Sequence, residues 1–279
     1  MDPILYRLRA FTDKPLGGNP AGVICFEQFP SAEQLQQLAW QSAQPVTAMV
    51  AKVTGGYQIR WFTPQQEINL CGHGTLAAAT VVFAREPALT VLQFFSEYGD
   101  IVVRRHSGGF SLCLPVFKLT PVAVKQLPLT ITQGNAVAAA SGRDLILELA
   151  SLQQVVDYQP DFSAISKLPW HALLVTALDT SAAEPCYWLR YFAPSIGINE
   201  DPATGSAHCS LLPYWVGRIA AWQTKNALQP LKEHPQQGSW RARQCSAEGG
   251  EFQLRLIDGL VELTSQAVLL GEVALELSA

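Results

Sequence analysis

Arg60-Trp61-Phe62-Thr63-Pro64, three residues, then Ile68-Asn69 recurs as Arg190-Tyr191-Phe192-Ala193-Pro194, three residues, then Ile198-Asn199, an offset of 130 (190 − 60). Each copy runs on into a Gly-containing turn of small residues and then an apolar segment. The turn is Cys71-Gly72-His73-Gly74-Thr75 in the first copy and Asp201-Pro202-Ala203-Thr204-Gly205-Ser206 in the second. One shared pentapeptide can arise by chance, but the same sequel as well points to a repeated unit, an internal duplication. On the plain offset, Asp201 is the counterpart of Cys71.

A second echo lies downstream, where Gly99-Asp100-Ile101-Val102-Val103-Arg104 matches Gly250-Glu251-Phe252-Gln253-Leu254-Arg255 and Gly108 matches Gly259. Alternating strands that turn through Gly are a hairpin signature. The polar stretch Gln223–Gln237 is the natural place for the extra length that the second copy carries between its helix and its hairpin.

The segment after the first Gly turn, Thr75 to Ala84, is apolar on nearly every side, and a helix apolar all round is a buried one. Ala207 to Ala221 reads similarly, with Pro213 expected to bend or break it. Ala32 to Ala43 is instead a surface helix, with Ser31 as N-cap and Gln34 as its capping-box partner. The expected class is α/β (α+β): two similar halves related by a pseudo-two-fold, each a curved mixed sheet wrapped around one central apolar helix. The split is expected near Thr120-Pro121, giving halves 1–120 and 121–266. The last strand, 267–279, fits either half.

Composition supports two buried cores. The chain has 279 residues, 48% of them hydrophobic and 15% charged, which suits two domains of ordinary size. Its 19 basic residues are scattered and outnumbered by 23 acidic ones, so nucleic acid is an unsuitable partner. No apolar run reaches the length of a membrane span and no signal-like start is present, so the expected location is cytoplasmic with no membrane contact. Six dispersed cysteines, with no C-x-x-C pair, read as free thiols, and no metal site is expected.

Two helix starts at equivalent places point to the chemistry. Each offers unpaired N–H groups and the positive end of a dipole, and this suits a carboxylate or another small anion. Gly72, Gly74 and Gly205 allow close approach of a ligand. Thr204 and Ser206 add hydroxyls. The titratable candidates are Cys71, His73, Glu200 and Asp201, with Glu67 just upstream. The dipole disfavours a cationic His73, and Asp201 reads equally well as a helix cap. Neighbouring Glu200 and Asp201 make a poor glycosidase pair. Cys71 has no paired base in view. No nucleotide-binding loop is present, so no cofactor is expected.

Three blocks identify a resemblance that runs from about residue 5 to the C-terminus: Ala10-Phe11-Thr12-Asp13-Lys14-Pro15-Leu16-Gly17-Gly18-Asn19-Pro20-Ala21-Gly22-Val23, then Arg60 to Thr75, then Glu200-Asp201-Pro202-Ala203-Thr204-Gly205-Ser206-Ala207-His208. The chain resembles the phenazine-biosynthesis isomerase (PhzF-like) family. That resemblance implies a diaminopimelate-epimerase-like fold, a homodimer, no cofactor, and isomerisation of dihydro-hydroxyanthranilate by moving a proton between ring carbons. It implies that Gly72, His73, Asp201, Gly205 and Ser206 line the substrate site. It also implies a glutamate base before a Thr. Here that stretch is Ala43-Gln44-Pro45-Val46-Thr47-Ala48-Met49, with Val46 at the base position. An isopropyl group accepts no proton. His73, Asp201 or Cys71 would then move it, or the protein binds a small anion without turning it over. A two-cysteine racemase is disfavoured because no second Cys matches Cys71.

Overall fold

The computed structural model describes residues 2–69, 71–182, 184–226 and 238–276, with the main chain alone for 221–226. The chain divides into two compact units, Met1–Cys113 with Thr264–Ala279, and Leu114–Leu263. The division thus falls at Cys113/Leu114, somewhat before Thr120-Pro121, and the final strand lies in the first unit.

The first unit contains strands β1 (Ile4–Ala10), β2 (Asn19–Phe26), β3 (Thr47–Val53), β4 (Gly56–Phe62), β5 (Glu67–Ile68), β6 (Val91–Ser96), β7 (Gly99–His106) and β8 (Gly109–Pro115), with helices α1 (Ala32–Ser42) and α2 (Gly72–Arg85). The second contains β9 (Thr120–Val122), β10 (Ala136–Ser141), β11 (Leu145–Leu149), β12 (Leu173–Leu178), β13 (Cys186–Phe192), β14 (Trp240–Gln244), β15 (Gly250–Ile257) and β16 (Leu260–Ser265). Its helices are α3 (Leu129–Thr132), α4 (Leu152–Asp157), α5 (Phe162–Ile165) and α6 (His208–Asn226). Strand β17 (Ala267–Ala274) returns to the first unit and pairs antiparallel with β1.

Strand pairing is mixed in each unit, and the senses of pairing recur. In the first unit β1–β2 is antiparallel, β2–β3 parallel, β3–β4 antiparallel, β4–β6 parallel and β6–β7 antiparallel. In the second, β10–β11, β11–β12, β12–β13, β13–β14 and β14–β15 follow the same series. Registers recur too. Gly22 N–H donates to the Val46 carbonyl at 2.8 Å, and Leu145 N–H to the Ala172 carbonyl at 2.9 Å. Thr47 faces Phe62 across its ladder just as Leu173 faces Phe192. Val46 and Ala172 are therefore structural counterparts, each one residue before its strand. The second hairpin turns at Asp258-Gly259, φ 50° and 76°, the paired left-handed residues of a tight two-residue turn.

The apolar helix α2 is buried over Gly74–Ala79 and Val81–Phe83 and packs on β1, β2, β3 and β17. Each large side chain taken from water there contributes roughly 1.5–3 kcal/mol. The opposite face of the sheet carries α1, whose Leu35, Leu38 and Ala39 join Leu5, Ile24, Met49 and Phe62. Ser31 and Gln34 close the expected capping box at its start.

In the second unit, β11 is buried on both faces. Leu145, Leu147 and Leu149 enter a core with Val155, Ile165 and Phe192, while Glu148 faces α6 and takes a two-pronged ion pair from Arg218 at 2.7 and 2.8 Å. Helix α6 runs unbroken through Pro213. A proline there leaves the carbonyl four residues back without its helical donor, and that carbonyl, of Cys209, accepts from Phe117 N–H at 2.9 Å. The break expected from sequence is thus averted by an outside donor. Of the stretch Gln223–Gln237, residues 227–237 lie outside the described residues.

Candidate active site

At the first helix start, Cys71 is the N-cap of α2, and its Sγ accepts from Gly74 N–H at 3.3 Å. His73 lies on the first turn with Nδ1 3.2 Å from Cys71 Sγ. Its ring is half-buried, and desolvation by its neighbours pushes its pKa down to about 4. The imidazole is therefore neutral at pH 7, and the positive end of the helix dipole acts in the same direction. A Cβ placed on Gly74 would stand 3.0 Å from Trp61 Cδ1, 3.3 Å from Cys71 Sγ and 3.4 Å from Val46 Cγ1. Val46 thus borders the same spot as the thiol, and any larger residue at 74 would press on the indole. Open space lies beside Gly72.

The second start has another composition. Thr204 precedes a single tight turn, Gly205–Ala207, that leads into α6. Its backbone angles, φ −121° and ψ 98°, are close to those of Cys71, φ −138° and ψ 105°. Both residues are followed by Gly. Thr204-Gly205-Ser206-Ala207 is therefore the counterpart of Cys71-Gly72-His73-Gly74, and the plain-offset pairing of Cys71 with Asp201 is corrected. Asp201-Pro202-Ala203 is an insertion of three residues, whose cost is low in a turn.

Asp201 is tied into that insertion. Thr204 Oγ1 donates a short bond to its Oδ2, its N–H donates to the Tyr191 carbonyl at 3.0 Å, and its carbonyl accepts from Gln244 Nε2 at 2.6 Å. Gln244 Oε1 accepts from Thr204 N–H at 2.7 Å. The carboxylate is thus engaged by the hydroxyl of Thr204, the residue that precedes the tight turn.

Glu67 and Glu200 stand apart from this chemistry. Arg60 forks Glu67 at 2.7 and 2.6 Å, and Arg190 forks Glu200 at 2.8 and 2.9 Å. Each guanidinium also lies over the Phe two residues on, at 5.2 Å for Phe62 and 4.9 Å for Phe192. The repeated Arg-x-Phe is thus a structural clamp, and the two glutamates are its anchors.

Sequence reasoning missed Arg143, Asp144 and Tyr191. Asp144 is fully buried and pairs with Arg143, whose Nη2 donates to Asp144 Oδ2 at 2.7 Å, Ser206 Oγ at 3.1 Å and Tyr191 Oη at 3.3 Å. The usable signal was a charged pair directly before the apolar run Leu145–Leu149, where a buried charge requires a partner. His208, next in line after Ser206 and Ala207, is also fully buried. Its Nδ1 lies 2.6 Å from Tyr187 Oη, its Nε2 has no hydrogen-bond partner among the described residues, and burial pushes its pKa down to about 3. Among the described residues no cluster of three or more His, Cys, Asp or Glu is placed to hold a metal ion.

One start therefore offers a thiol beside a neutral imidazole, and the other offers a hydroxyl held by a guanidinium. Such groups can bind a small anion and exchange a proton with it.

The family model for phenazine biosynthesis-like protein (PhzC-PhzF) matches residues 8–259. An uncharacterized isomerase of Vibrio cholerae is 38% identical over 92% of this chain and 85% of its own. A phenazine biosynthesis protein of the PhzF family from Enterococcus faecalis superposes with a TM-score of 0.86 at 31% identity, over 99% of this chain and 100% of the other. A hydroxyproline epimerase from Agrobacterium vitis shares the fold, with a TM-score of 0.52 at 11% identity over 99% and 94%.

Proposed function

Because the chain belongs to the phenazine biosynthesis-like (PhzC-PhzF) family, whose bacterial relatives carry the name isomerase, we propose that it isomerises a small cyclic carboxylate by moving a proton without a cofactor. In this reading His73, at the first helix start, carries the proton. The supporting observation is the half-buried imidazole 3.2 Å from a thiol that borders the same spot as Val46, where the family resemblance implies a base.

With Nδ1–H donated to Cys71 Sγ at 3.2 Å, Nε2, 3.6 Å from the same sulfur, carries the ring's lone pair. A C–H proton of the substrate passes to Nε2, and its electron pair delocalises into the conjugated ring acid. Nε2–H, which exchanges with solvent, then delivers a proton to a second carbon, so no oxidant or reductant is consumed and the product takes up solvent deuterium. A pKa near 4 makes the imidazolium a ready proton donor and the neutral ring a weak base, so an anionic substrate beside it has to raise that value for the first transfer. Asp201, committed to Thr204 and its turn, shapes the second start.

The test is incubation with dihydro-hydroxyanthranilate in deuterated water, following absorbance and deuterium uptake. Turnover with uptake in the wild type and its loss in His73→Asn is the expected result. Uptake that persists in His73→Asn transfers the role to Asp201 or Cys71.

Val46 favours a second reading, binding without turnover. It predicts that the ligand binds with no uptake in the wild type, and that Val46→Glu, which restores a carboxylate beside the helix start, creates uptake.

A further inference from the structure

We infer that Arg143 is a positioning residue: it occupies one of the two acceptor lone pairs of Ser206 Oγ and so directs the hydroxyl hydrogen away from itself, which favours an anionic or carbonyl oxygen at that point of the site. The inference rests on the proposed function for the identity of the ligand, and on the second unit alone for its geometry.

Arg143 is held on several sides. Its Nε and Nη2 fork the fully buried Asp144 at 3.0 and 2.7 Å. Its guanidinium lies 5.2 Å over the ring of Phe117, and Phe117 is tethered by its N–H to the Cys209 carbonyl. A guanidinium is planar and donates only, so these contacts fix the direction of the remaining Nη2–H. It meets Ser206 Oγ at 3.1 Å and, more weakly, Tyr191 Oη at 3.3 Å. A serine oxygen that accepts from a fixed donor has its own hydrogen free to turn elsewhere. No acceptor for that hydrogen lies among the described residues, and Ser206 is half-buried, so a ligand can reach it. Because Asp144 neutralises Arg143, the pair adds little net charge. Selectivity comes from the direction of the hydroxyl.

The first start has no equivalent device. The register that pairs Gly22 with Thr47 and Leu145 with Leu173 puts Pro20 and Ala21 where the second unit has Arg143 and Asp144. The two starts are thus built to do different things, with the imidazole on one and the directed donor on the other.

The test compares binding of anthranilate with that of its neutral amide in the wild type, Ser206→Ala, Arg143→Lys, and the double variant Arg143→Gln/Asp144→Asn, which avoids stranding a buried charge. Ser206→Ala is expected to weaken anthranilate about tenfold, the worth of one such hydrogen bond. The double variant should lose a similar factor, and adding Ser206→Ala to it should cost no more, because Arg143 acts through the hydroxyl. Arg143→Lys should recover part of the loss. Additive losses, or a double variant that binds like the wild type, would overturn the assignment. A wild type that does not bind anthranilate counts against the proposed ligand class and leaves the positioning to a measurement without ligand. This is the Hα–Hβ coupling of Ser206 in serine-labelled protein, expected as a single rotamer in the wild type and as an average in the double variant. One rotamer in both refutes the positioning whatever binds.

Discussion

Cys71-Gly72-His73-Gly74 and Thr204-Gly205-Ser206-Ala207 leave their sheets with nearly the same cap geometry, φ −138° and −121°, but little of their surrounding chemistry is shared. The first start is lined by Cys71, Val46 and Trp61 and holds a neutral imidazole. The second has a buried ion pair, two hydroxyls and a carboxamide that laces the turn together. Backbone geometry was retained in both while side chains diverged, because the turn into a buried helix is dictated by packing. The groups that face a ligand are under no such constraint.

The comparison is broken most severely by His73→Asn. If the first start carries the proton, deuterium exchange into a turned-over substrate should fall by roughly 10²- to 10⁴-fold, with binding of anthranilate little changed; an equal loss of both would make His73 a binding group. Asp144→Ala should cost the second unit about 1–3 kcal/mol, because it takes the buried acceptor from Arg143, a third of whose side chain reaches solvent, and the urea midpoint reads it directly. An effect under about 1 kcal/mol would mean that the pair is dispensable and that the second start is held by packing alone.

Acidification separates the starts by degree. His208 and His73 bind protons less readily folded, at about 3 and about 4, than unfolded at about 6.5. The unfolded chain therefore binds more protons between those values, so stability is complete above pH 6.5 and declines as pH falls below it. For fully buried His208 the loss by pH 4 is roughly 3 kcal/mol. His208→Phe should remove about half of the slope in a series of denaturation curves, His73 supplying the rest, and an unchanged slope would refute the assignment. The smallest effect is expected of Cys71→Ser. A hydroxyl caps a helix at least as well as a thiol, so stability should move by about 0.5 kcal/mol or less and exchange should stay within a fewfold. A loss as large as that of His73→Asn would make the thiol a proton carrier in its own right.

How much of this was legible beforehand varies by element. The capping box at Ser31, the burial of α2 and the hairpin turn at Gly259 rest on local rules, and the residues announced them. The pairing of Cys71 with Asp201 failed because a constant offset does not detect a three-residue insertion inside the motif; only matched cap angles do. The expected break at Pro213 failed because its remedy comes from Phe117, nearly a hundred positions away. Glu67 and Glu200 looked titratable and near the site, and each turned out to be clamped by the arginine of its own repeat.

The sequence by itself determined that a motif recurs along the chain, each time leading through a Gly turn into an apolar helix, and that the chain belongs among phenazine biosynthesis-like proteins. Those features are written in periodicity and motif, which are local in the chain. The tertiary structure alone decided which residues share a helix start. Arg143 and Ser206 are 63 positions apart, and Asp201 and Gln244 are 43. Their meeting depends on strand register, and no local pattern encodes a hydrogen bond between side chains brought together by a sheet.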